Sequence, residues 1–368
     1  MANLPLSNIF YRKTRTGIGI LSVALGVSMV LVLVGLTQGS LNEYADRITN
    51  MGADILFMAP DSSPFLVLNT GVMSERLGEK LGEVSGVEAV APVLHWRVTS
   101  IKGVKKLVSI FGVDLPSYNR IGRGVEIVEG TGFEGPGDII VDTVLSTADG
   151  LKLGDTLPMM NQDFRISGIC KAGAGARMYM RLDALQEATG QPGKTALFLI
   201  KVAQGRRVGD VAAALESQFE GYKVTALEGF VEELKDNALG LKQFTRVLSV
   251  LAVIISFLVI LLAMYTTIIE RTREIGVLKA LGAGKLYIIR LVMTESFLIC
   301  LLGVLVGFGL SLLGRALILT LFPTLTVALI PSQFAIAALL GIFGGLAGAL
   351  YPAYRAARLD PVEALNFE

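Results

Sequence analysis

The sequence predicts a membrane α-helical protein with four transmembrane helices and a large extracytoplasmic α+β domain. Two observations support this fold class. Of the 368 residues, 18% are charged and 52% are hydrophobic. The hydrophobic share exceeds that of an ordinary soluble domain. The apolar residues are concentrated toward both ends of the chain, whereas the middle resembles a water-soluble protein. The net charge of +1 excludes a global basic field of the kind that attracts nucleic acid.

Four segments have the length and composition of membrane-spanning helices. A spanning helix needs about 20 mostly apolar residues, because lipid offers the backbone no hydrogen-bond partner. The candidates are residues 17–39, 245–269, 291–313 and 334–351. A cleaved signal peptide is the alternative for the first segment. We disfavour it because the uncharged run is longer than a signal core and no A-x-A-like site follows.

The orientation follows from the Lys and Arg residues beside these helices. Basic residues are retained on the cytoplasmic side, and here they precede the first helix, separate the second from the third and follow the fourth. We therefore expect both termini and residues 270–290 in the cytoplasm of a prokaryotic inner membrane, with residues 40–244 outside. The remaining segments are an amphipathic N-terminus (1–16), for which a disordered segment is the alternative, a short external loop (314–333) and a cytoplasmic tail (352–368).

The external domain opens and closes with similar strand-helix-strand patterns. The first comprises Ala53 to Met58, Ser74 to Leu81 with Ser74 as the helix N-cap, and Val87 to Val93. The second comprises Ala196 to Val202, Val208 to Phe219, and Tyr222 to Leu227. Two such units, far apart in sequence, can share one mixed sheet.

Residues 94–195 read as a β-rich insertion between these two units. Short runs rich in β-formers, such as Leu107 to Val113 and Asp163 to Ile169, alternate there with glycine-containing turns. After the second unit, a helical pattern from Glu228 to Phe244 continues into the second membrane helix. This stalk either transmits movement or serves as a static support.

The sequence contains few of the residues that catalysis needs, and we predict no catalytic, cofactor-binding or metal site on this chain. The single histidine, His95, is expected in a surface or packing role, and the two cysteines form no metal-binding spacing. Residues 188–195 match a relaxed phosphate-loop pattern. A helical pattern precedes them and a strand follows, the reverse of a working phosphate loop, so we predict an ordinary turn.

The segment Glu270 to Ala283 begins with charged residues. Its spacing predicts a short amphipathic helix that exposes Ile275, Leu278 and Leu281 and ends at a glycine. Such a helix can dock apolar side chains into the groove of a partner. The alternative is an interfacial helix that touches only lipid headgroups.

This segment closely resembles the E-R-x-R-E-I-G-x-L-K-A-[LI]-G-A signature of the FtsX-like, MacB-type (type VII) ABC transporter permeases. Residues Pro352 to Leu365 resemble the P-A-x-x-A-A-x-[LR]-x-P-[VI]-E-A-L end of that family. Gly154-Asp155 and the run from Phe164 to Ile169 resemble its recurrent G-D and F-x-V-x-G-[IV] patterns. The resemblance extends over essentially the whole chain.

The resemblance implies a permease subunit that dimerises, as a homodimer or heterodimer, and pairs with a separate ABC ATPase dimer, since a fused nucleotide-binding domain is lacking here. ATP and Mg²⁺ are then expected on the partner. It also implies a MacB-like porter-type α/β part in the external domain, and it leaves open a periplasmic adaptor protein. The residues expected to couple to the ATPase are Arg273, Glu274, Ile275, Leu278, Lys279 and Leu281.

Small residues mark two membrane helices as sites of close helix contact. Gly303 and Gly307 form a GxxxG motif in the third helix, and Gly341 and Gly345 belong to a glycine-rich face of the fourth. Packing within one subunit and dimerisation both fit this pattern. Glu295, inside the third apolar run, is expected to have a structural or gating role.

Three functions are compatible with these features. The first is mechanotransmission, in which ATPase motion drives the external domain to export or extract hydrophobic or amphiphilic compounds, such as drugs, peptides, lipids or lipoproteins. The second is a complex that transports nothing and regulates a cell-wall hydrolase. The third, a membrane-anchored enzyme, is disfavoured because the sequence shows no recognisable catalytic constellation.

Overall fold

The computed structural model describes residues 13–60, 62, 71–101, 104–230, 239–270 and 272–360. The chain divides into two compact units. We call residues 1–40, 239–321 and 325–368 the helical unit, and residues 41–238 with 322–324 the sheet unit. Residues 1–12 of the amphipathic N-terminus, residues 231–238 of the stalk and residues 361–365 of the C-terminal motif lie outside the described residues.

The helical unit is built from long apolar helices. Its helices are α1 (Lys13–Asn50, whose last ten residues belong to the sheet unit), α7 (Leu239–Glu270), α8 (Thr272–Ala280), α9 (Lys285–Leu321) and α10 (Pro331–Arg358). At about 1.5 Å per residue the 37 residues of α9 extend about 55 Å, which exceeds the hydrocarbon thickness of a bilayer. Pro331 starts α10, where its fixed φ suits a first helical turn.

Among the residues that the structure describes, three helices are long and apolar enough to cross a membrane, namely Thr16–Asn50, Lys285–Leu321 and Pro331–Arg358. They coincide with three of the four predicted spans. Within the described residues of α7, the apolar stretch Arg246–Leu262 is shorter than these three. The count of four spanning helices therefore stays a prediction.

The sheet unit contains a ten-stranded sheet in the order β12-β1-β11-β3-β4-β9-β6-β8-β5, with β7 paired to β8. A separate two-stranded sheet pairs β10 with β2. The strands are β1 (Ile55–Met58), β2 (Met73–Ser74), β3 (Val87–Ile101), β4 (Val104–Val113), β5 (Ile127–Gly130), β6 (Asp138–Asp142), β7 (Thr156–Met159), β8 (Gln162–Cys170), β9 (Met178–Arg181), β10 (Lys194–Thr195), β11 (Leu197–Val202) and β12 (Lys223–Ala226). The helices are α2 (Leu77–Gly82), α3 (Leu115–Ile121), α4 (Thr143–Asp149), α5 (Leu182–Ala188) and α6 (Val208–Gln218).

The two predicted strand-helix-strand patterns interleave in one sheet. The strands β1 and β3 of the first pattern flank β11 of the second, and β12 pairs with the outer edge of β1. All three pairings are antiparallel, as in the split β-α-β arrangement of ferredoxin-like folds. The parallel pairs β4 with β9 and β6 with β8 make the complete sheet a mixed one.

Both faces of this sheet are covered, which explains why every residue of β1 is buried. Successive side chains of a strand point to opposite faces. Ile55 and Phe57 pack in one core with Leu81 of α2 and Leu215 of α6. The other two residues of β1, Leu56 and Met58, pack in a second core with the end of α1 and with α3.

The β-rich region does not form a sheet of its own. The third strand β3 extends to Ile101, well beyond its predicted end at Val93, and pairs with β4 along most of its length. The strands from β4 to β9 thereby continue the same hydrogen-bonded ladder. The predicted strands Leu107 to Val113 and Asp163 to Ile169 are present as β4 and β8.

The prediction of Ser74 as a helix N-cap is wrong. Ser74 belongs to β2 and pairs with Lys194, and the helix α2 begins only at Leu77, after Arg76. The N–H of Glu75 donates to the carbonyl of Gly193 at 3.0 Å, which extends the strand pairing beyond Ser74. A long-range backbone pairing thus replaces the local cap that the residue type favours.

The pattern of Gly154-Asp155 followed by Phe164 to Ile169 forms a pair of hydrogen-bonded segments. The N–H of Gly154 donates to the carbonyl of Ile166, and the N–H of Ile166 donates to the carbonyl of Asp155, both at 2.9 Å. Gly154 has a φ of +81°, which favours glycine. This motif therefore serves the geometry of the sheet.

Candidate coupling site

Hydrogen bonds made by local residues define both ends of the helix α8. The hydroxyl of Thr272 donates to the carbonyls of Ile268 and Ile269 at the end of α7, at 3.0 and 2.8 Å. At the other end, Gly282 has a φ of +96°. The N–H of Ala283 donates to the carbonyl of Leu278 and the N–H of Gly282 to that of Lys279, both at 3.0 Å. These two bonds define a Schellman motif, so the predicted glycine stop is present.

The inner face of α8 packs into the helical unit. Ile275 is only 6% exposed, and Leu278 is partly buried. Both contact a cluster that includes Ile288 of α9 and the small residues Ala353 and Ala356 of α10. The expectation that Ile275 is exposed is therefore wrong, because the alanines of α10 let α8 approach closely enough to bury it.

Lys279 joins this inner face to the end of α10. Its ammonium group donates to the carbonyl of Ala357 at 3.1 Å and also to that of Leu359. These carbonyls lie in the last turn and at the C-cap of α10, where a cation is favourable because of the helix dipole. Lys279 therefore holds α8 in place in this structure.

The outer face of α8 carries Arg273, Glu274 and Val277, and Leu281 follows the last residue of the helix. All four are exposed. Leu281 is 81% exposed and Val277 is 43% exposed. Leu286, just inside α9, is 78% exposed. We call these five residues the outer surface of α8. It combines apolar side chains with one cation and one anion, which suits docking into the groove of another protein.

Sequence reasoning missed Val277 and Leu286. A signal existed for Val277, since Glu274, Val277 and Leu281 are spaced as one helical face. Choosing between this face and that of Ile275 and Leu278 requires knowing where α10 packs. For Leu286 no signal existed, because it follows the glycine stop.

The glycines of α9 face α1 within the same chain. A Cβ atom at Gly303 would lie 2.6 Å from the Cβ of Val23, and one at Gly307 would lie 2.9 Å from the carbonyl oxygen of Ala24. Both distances are shorter than real Cβ contacts, so only glycine allows these helices to approach so closely.

The glycines of α10 also pack within the chain. A Cβ atom at Gly341 would lie 2.8 Å from Val27 of α1, and one at Gly345 would lie 2.6 Å from Ile260 of α7. A Cβ atom at Gly345 would also collide with the thiol of Cys300 in α9. Of the two interpretations of these small residues, the structure thus shows intrachain packing.

Glu295 lies inside α9 and is buried, with 8% of its surface exposed. Its neighbour Ser296 is fully buried and donates its hydroxyl to the carbonyl of Val292 at 2.9 Å. Glu295 therefore faces protein, and its structural or gating role stays a prediction.

The sheet unit contains a partly buried cluster of four charges that sequence reasoning missed. The guanidinium of Arg47, at the end of α1, lies 3.1 Å from Asp142 and 3.2 Å from Glu43. Arg177 lies 3.4 Å from the same oxygen of Asp142 and 2.5 Å from Glu43. The other oxygen of Asp142 accepts the N–H of Leu145 at 2.6 Å and so caps α4.

The same cluster includes the segment between α9 and α10. Arg177 donates to the carbonyl of Thr324 at 3.1 Å. Burial, followed by the charge of Arg47, lowers the pKa of Arg177. Because the partners of Arg177 come from distant parts of the chain, no local sequence pattern could reveal them.

Within the described residues, no group of three or more His, Cys, Asp or Glu side chains is arranged to hold a metal ion. The segment 188–195 has the order that sequence analysis predicted, with α5 before it and β10 at its end. Two of its glycines, Gly190 and Gly193, have positive φ angles of 69° and 66°. The segment is therefore a turn between a helix and a strand.

Comparison with known proteins identifies the family. A family model described as the MacB-like periplasmic core domain matches residues 16–218, and one described as FtsX-like permease C-terminal matches residues 246–361. The chain is 24% identical to the macrolide export ATP-binding/permease protein MacB of Marinobacter nauticus, over 98% of this chain and 59% of that protein. It is 26% identical to the MacB protein of Sodalis glossinidius, over 100% of this chain and 60% of that protein. The chain thus spans about 60% of the length of these two relatives.

An uncharacterized ABC transporter permease of Methanocaldococcus jannaschii is 24% identical, over 98% of this chain and 96% of that protein. Among solved structures, the periplasmic region of MacB from Actinobacillus actinomycetemcomitans aligns with a TM-score of 0.40 and 10% identity, over 51% of this chain and 95% of that one. The extracellular domain of the transporter YknZ from Gram-positive bacteria aligns with a TM-score of 0.37 and 18% identity, over 47% and 99%. Because the first family model alone covers more than half of the sequence, the chain belongs to the FtsX-like ABC transporter permeases with a MacB-like periplasmic core domain.

Proposed function

We propose that this permease works with a partner ATPase dimer, which binds ATP and Mg²⁺, and that the outer surface of α8 is where the ATPase docks. The observation that carries the proposal is the exposure of Val277 on α8 and of Leu281 and Leu286 shortly after it. The opposite face of α8 is anchored by Ile275 and Lys279. An anchored helix can pass on a push from a partner, because its inner contacts move with it.

The orientation belongs to the same proposal. The basic residues beside the helices favour a cytoplasmic location for α8 and for both termini, and an extracytoplasmic location for the sheet unit. The membrane is then the prokaryotic inner membrane. ATP binding and hydrolysis in the cytoplasm would be coupled to motion of the sheet unit outside.

We further propose that the complex contains two permease subunits and exports or extracts a hydrophobic or amphiphilic compound. The glycine faces of α9 and α10 are filled by contacts within the chain, so the second permease would contact other surfaces. A periplasmic adaptor protein would extend the same assembly.

Affinity purification of the chain from its native cell in mild detergent, followed by mass spectrometry and an ATPase assay, tests the ATPase partner. We expect an ABC ATPase in stoichiometric amount. Leu281→Glu should reduce its recovery at least tenfold, because a leucine buried on docking contributes about 2 kcal/mol and a buried carboxylate adds a further cost.

The double substitution Arg273→Glu with Glu274→Lys should weaken the same association by reversing the charges that set the docking register. Leu153→Glu serves as the matched control, since Leu153 is also exposed (41%) but lies in the sheet unit. Equal recovery of the ATPase with all three variants would show that α8 is not the docking site.

Stimulation of the ATPase separates the proposed transport from regulation of an external enzyme. Amphiphilic compounds should raise the rate of ATP hydrolysis if they are cargo. A rate raised only by a cell-wall hydrolase would refute the transport proposal and support regulation instead.

A further inference from the structure

The sheet unit contains a cavity of about 280 Å³ between the end of α1 and the strands β1, β3 and β4. Its walls are mostly apolar and include Ile48, Met51, Met58 and Phe111. An engineered cavity of about 150 Å³ holds one benzene molecule, so this cavity has room for about ten carbon atoms. It therefore suits one short hydrocarbon chain.

The charged side chains on the cavity wall all have the same sign. Arg47, Arg97 and Arg177 line the cavity, and no Asp or Glu does so among the described residues. His95 also lines it. Burial, with a smaller effect of the Arg97 charge, lowers the pKa of His95 to about 4, so its ring is neutral at pH 7.

Arg97 differs from the other two arginines. Arg47 and Arg177 are ion-paired with Glu43 and Asp142, as described above. Within the part of the chain that the structure describes, Arg97 makes no ion pair or hydrogen bond, although it is only partly exposed. A partly buried guanidinium of this kind gains from an anionic partner, since charge-assisted hydrogen bonds are among the strongest in proteins.

Strand geometry directs Arg97 toward the cavity. Arg97 and His95 are two residues apart in β3 and lie on the same face of the sheet, whereas Trp96 packs in the core on the other face. The neighbouring strand β4 places Ser109 directly opposite Arg97. The hydroxyl of Ser109 lies 2.7 Å from Nε2 of His95, which holds the imidazole in place beside the cavity.

We propose that this cavity binds a single-chain anionic amphiphile, with its hydrocarbon chain among the apolar residues and its carboxylate or phosphate group on Arg97. Charge complementarity and the size of the cavity both support this occupant. The proposal goes beyond the permease function, because binding at this site requires neither ATP nor the partner ATPase.

The test measures binding of radiolabelled decanoate at pH 7.5 to the full chain in phosphatidylcholine nanodiscs, with empty nanodiscs subtracted. Decanol and decylammonium serve as neutral and cationic probes of equal chain length. We expect decanoate to bind about tenfold more tightly than decanol, as one charge-assisted hydrogen bond on a partly exposed arginine allows. Decylammonium should bind most weakly.

Two substitutions at Arg97 test whether this side chain binds the anionic group. Arg97→Gln should remove the preference for decanoate over decanol, and Arg97→Glu should reverse it in favour of decylammonium. Because Arg97 has no ion-pair partner among the described residues, neither change leaves a described carboxylate without its cation. Arg123→Gln, which removes an exposed arginine outside the cavity, should bind all three probes like the unmodified chain.

Decanol binding as tightly as decanoate in the unmodified chain would overturn the anionic assignment. A preference for decanoate that survives Arg97→Glu would overturn the role of Arg97, and retention no greater than that of empty nanodiscs would overturn the site. None of these results bears on ATPase docking at α8, which is measured separately, so failure of this proposal and failure of the proposed function are distinguishable.

Discussion

His95 shows how the position of one residue in the sheet decides its chemistry. The sequence presents it as the single histidine, which makes it a candidate for any proton transfer. In the structure it is 6% exposed, bonded to Ser109 and set edge-on against Phe111, with ring centroids 5.6 Å apart. The expected packing role is thus what the structure shows, and burial accounts for most of the lowered pKa.

The pKa of His95 predicts a dependence of stability on pH. The folded pKa of about 4 lies below the unfolded value of 6.5, so the unfolded chain binds more protons between these values. The stabilisation is therefore complete above pH 6.5 and is lost as the pH falls toward 4. The shift corresponds to about 3 kcal/mol at most.

Thermal unfolding followed by the fluorescence of Trp96, the single tryptophan, measures this effect. We expect the unmodified chain to lose stability from pH 6.5 to 4.5 more steeply than His95→Gln, which keeps a hydrogen-bonding group beside Ser109. Identical pH profiles for the two proteins would contradict the assignment.

Lys279 allows a second test at the residue scale. Lys279→Met keeps the apolar stem but removes the donors to Ala357 and Leu359. We expect a loss of about 1–3 kcal/mol in the free energy of unfolding, as for other hydrogen bonds from charged groups. Lys285→Met, at an exposed position in the first turn of α9, is the control and should change stability by less than about 0.5 kcal/mol.

At the scale of single elements, periodicity and turn residues predicted the positions of several helices and strands. The strand β4, the helix α6 and the glycine stop of α8 all lie close to their predicted positions, because each depends on local spacing. The failures involve a distant partner. Ser74 was assigned to a helix cap from its residue type. The pairing of β2 with β10 joins residues about 120 positions apart, so the local pattern could not reveal it.

The glycines of α9 provide a matched pair for testing helix packing. A Cβ atom at Gly303 would collide with Val23, whereas one at Gly309 would meet nothing within 4 Å. Gly303→Ala should therefore destabilise the helical unit by about 1–3 kcal/mol through overpacking. Gly309→Ala should be neutral or stabilise it by up to about 1 kcal/mol, since alanine has the higher helix propensity.

Thermal unfolding in the same detergent, at matched protein concentration, distinguishes the two variants. Equal midpoints for Gly303→Ala and Gly309→Ala would show that α9 and α1 are not packed as described. Lower recovery of dimer for Gly303→Ala, with an unchanged midpoint, would instead place this glycine at an interface between subunits.

At the scale of the whole molecule, the chain divides into a helical unit and a sheet unit. The proposed orientation puts α8 in the cytoplasm and the sheet unit outside the cytoplasm. The two native cysteines are both buried, and burial raises the pKa of Cys170 to about 12. Native thiols should therefore react little with maleimides, which need the thiolate.

This low background allows introduced cysteines to report the orientation. In intact cells, a membrane-impermeant maleimide should label Glu220→Cys, at an exposed position in the sheet unit, but not Leu281→Cys, which directly follows α8. After the cells are opened, both should be labelled. Labelling of Leu281→Cys in intact cells would reverse the proposed topology.

The sequence by itself determined the apolar helices, several of the strands and the family signature, because composition, local periodicity and motif spacing are properties of neighbouring residues. Only the tertiary structure decided which face of α8 is exposed, since burial of Ile275 depends on the alanines of α10. The same holds for the interleaved strands of the sheet and for the arginine-lined cavity. These features join residues far apart along the chain, and their energies come from packing and charge pairing that no local pattern records.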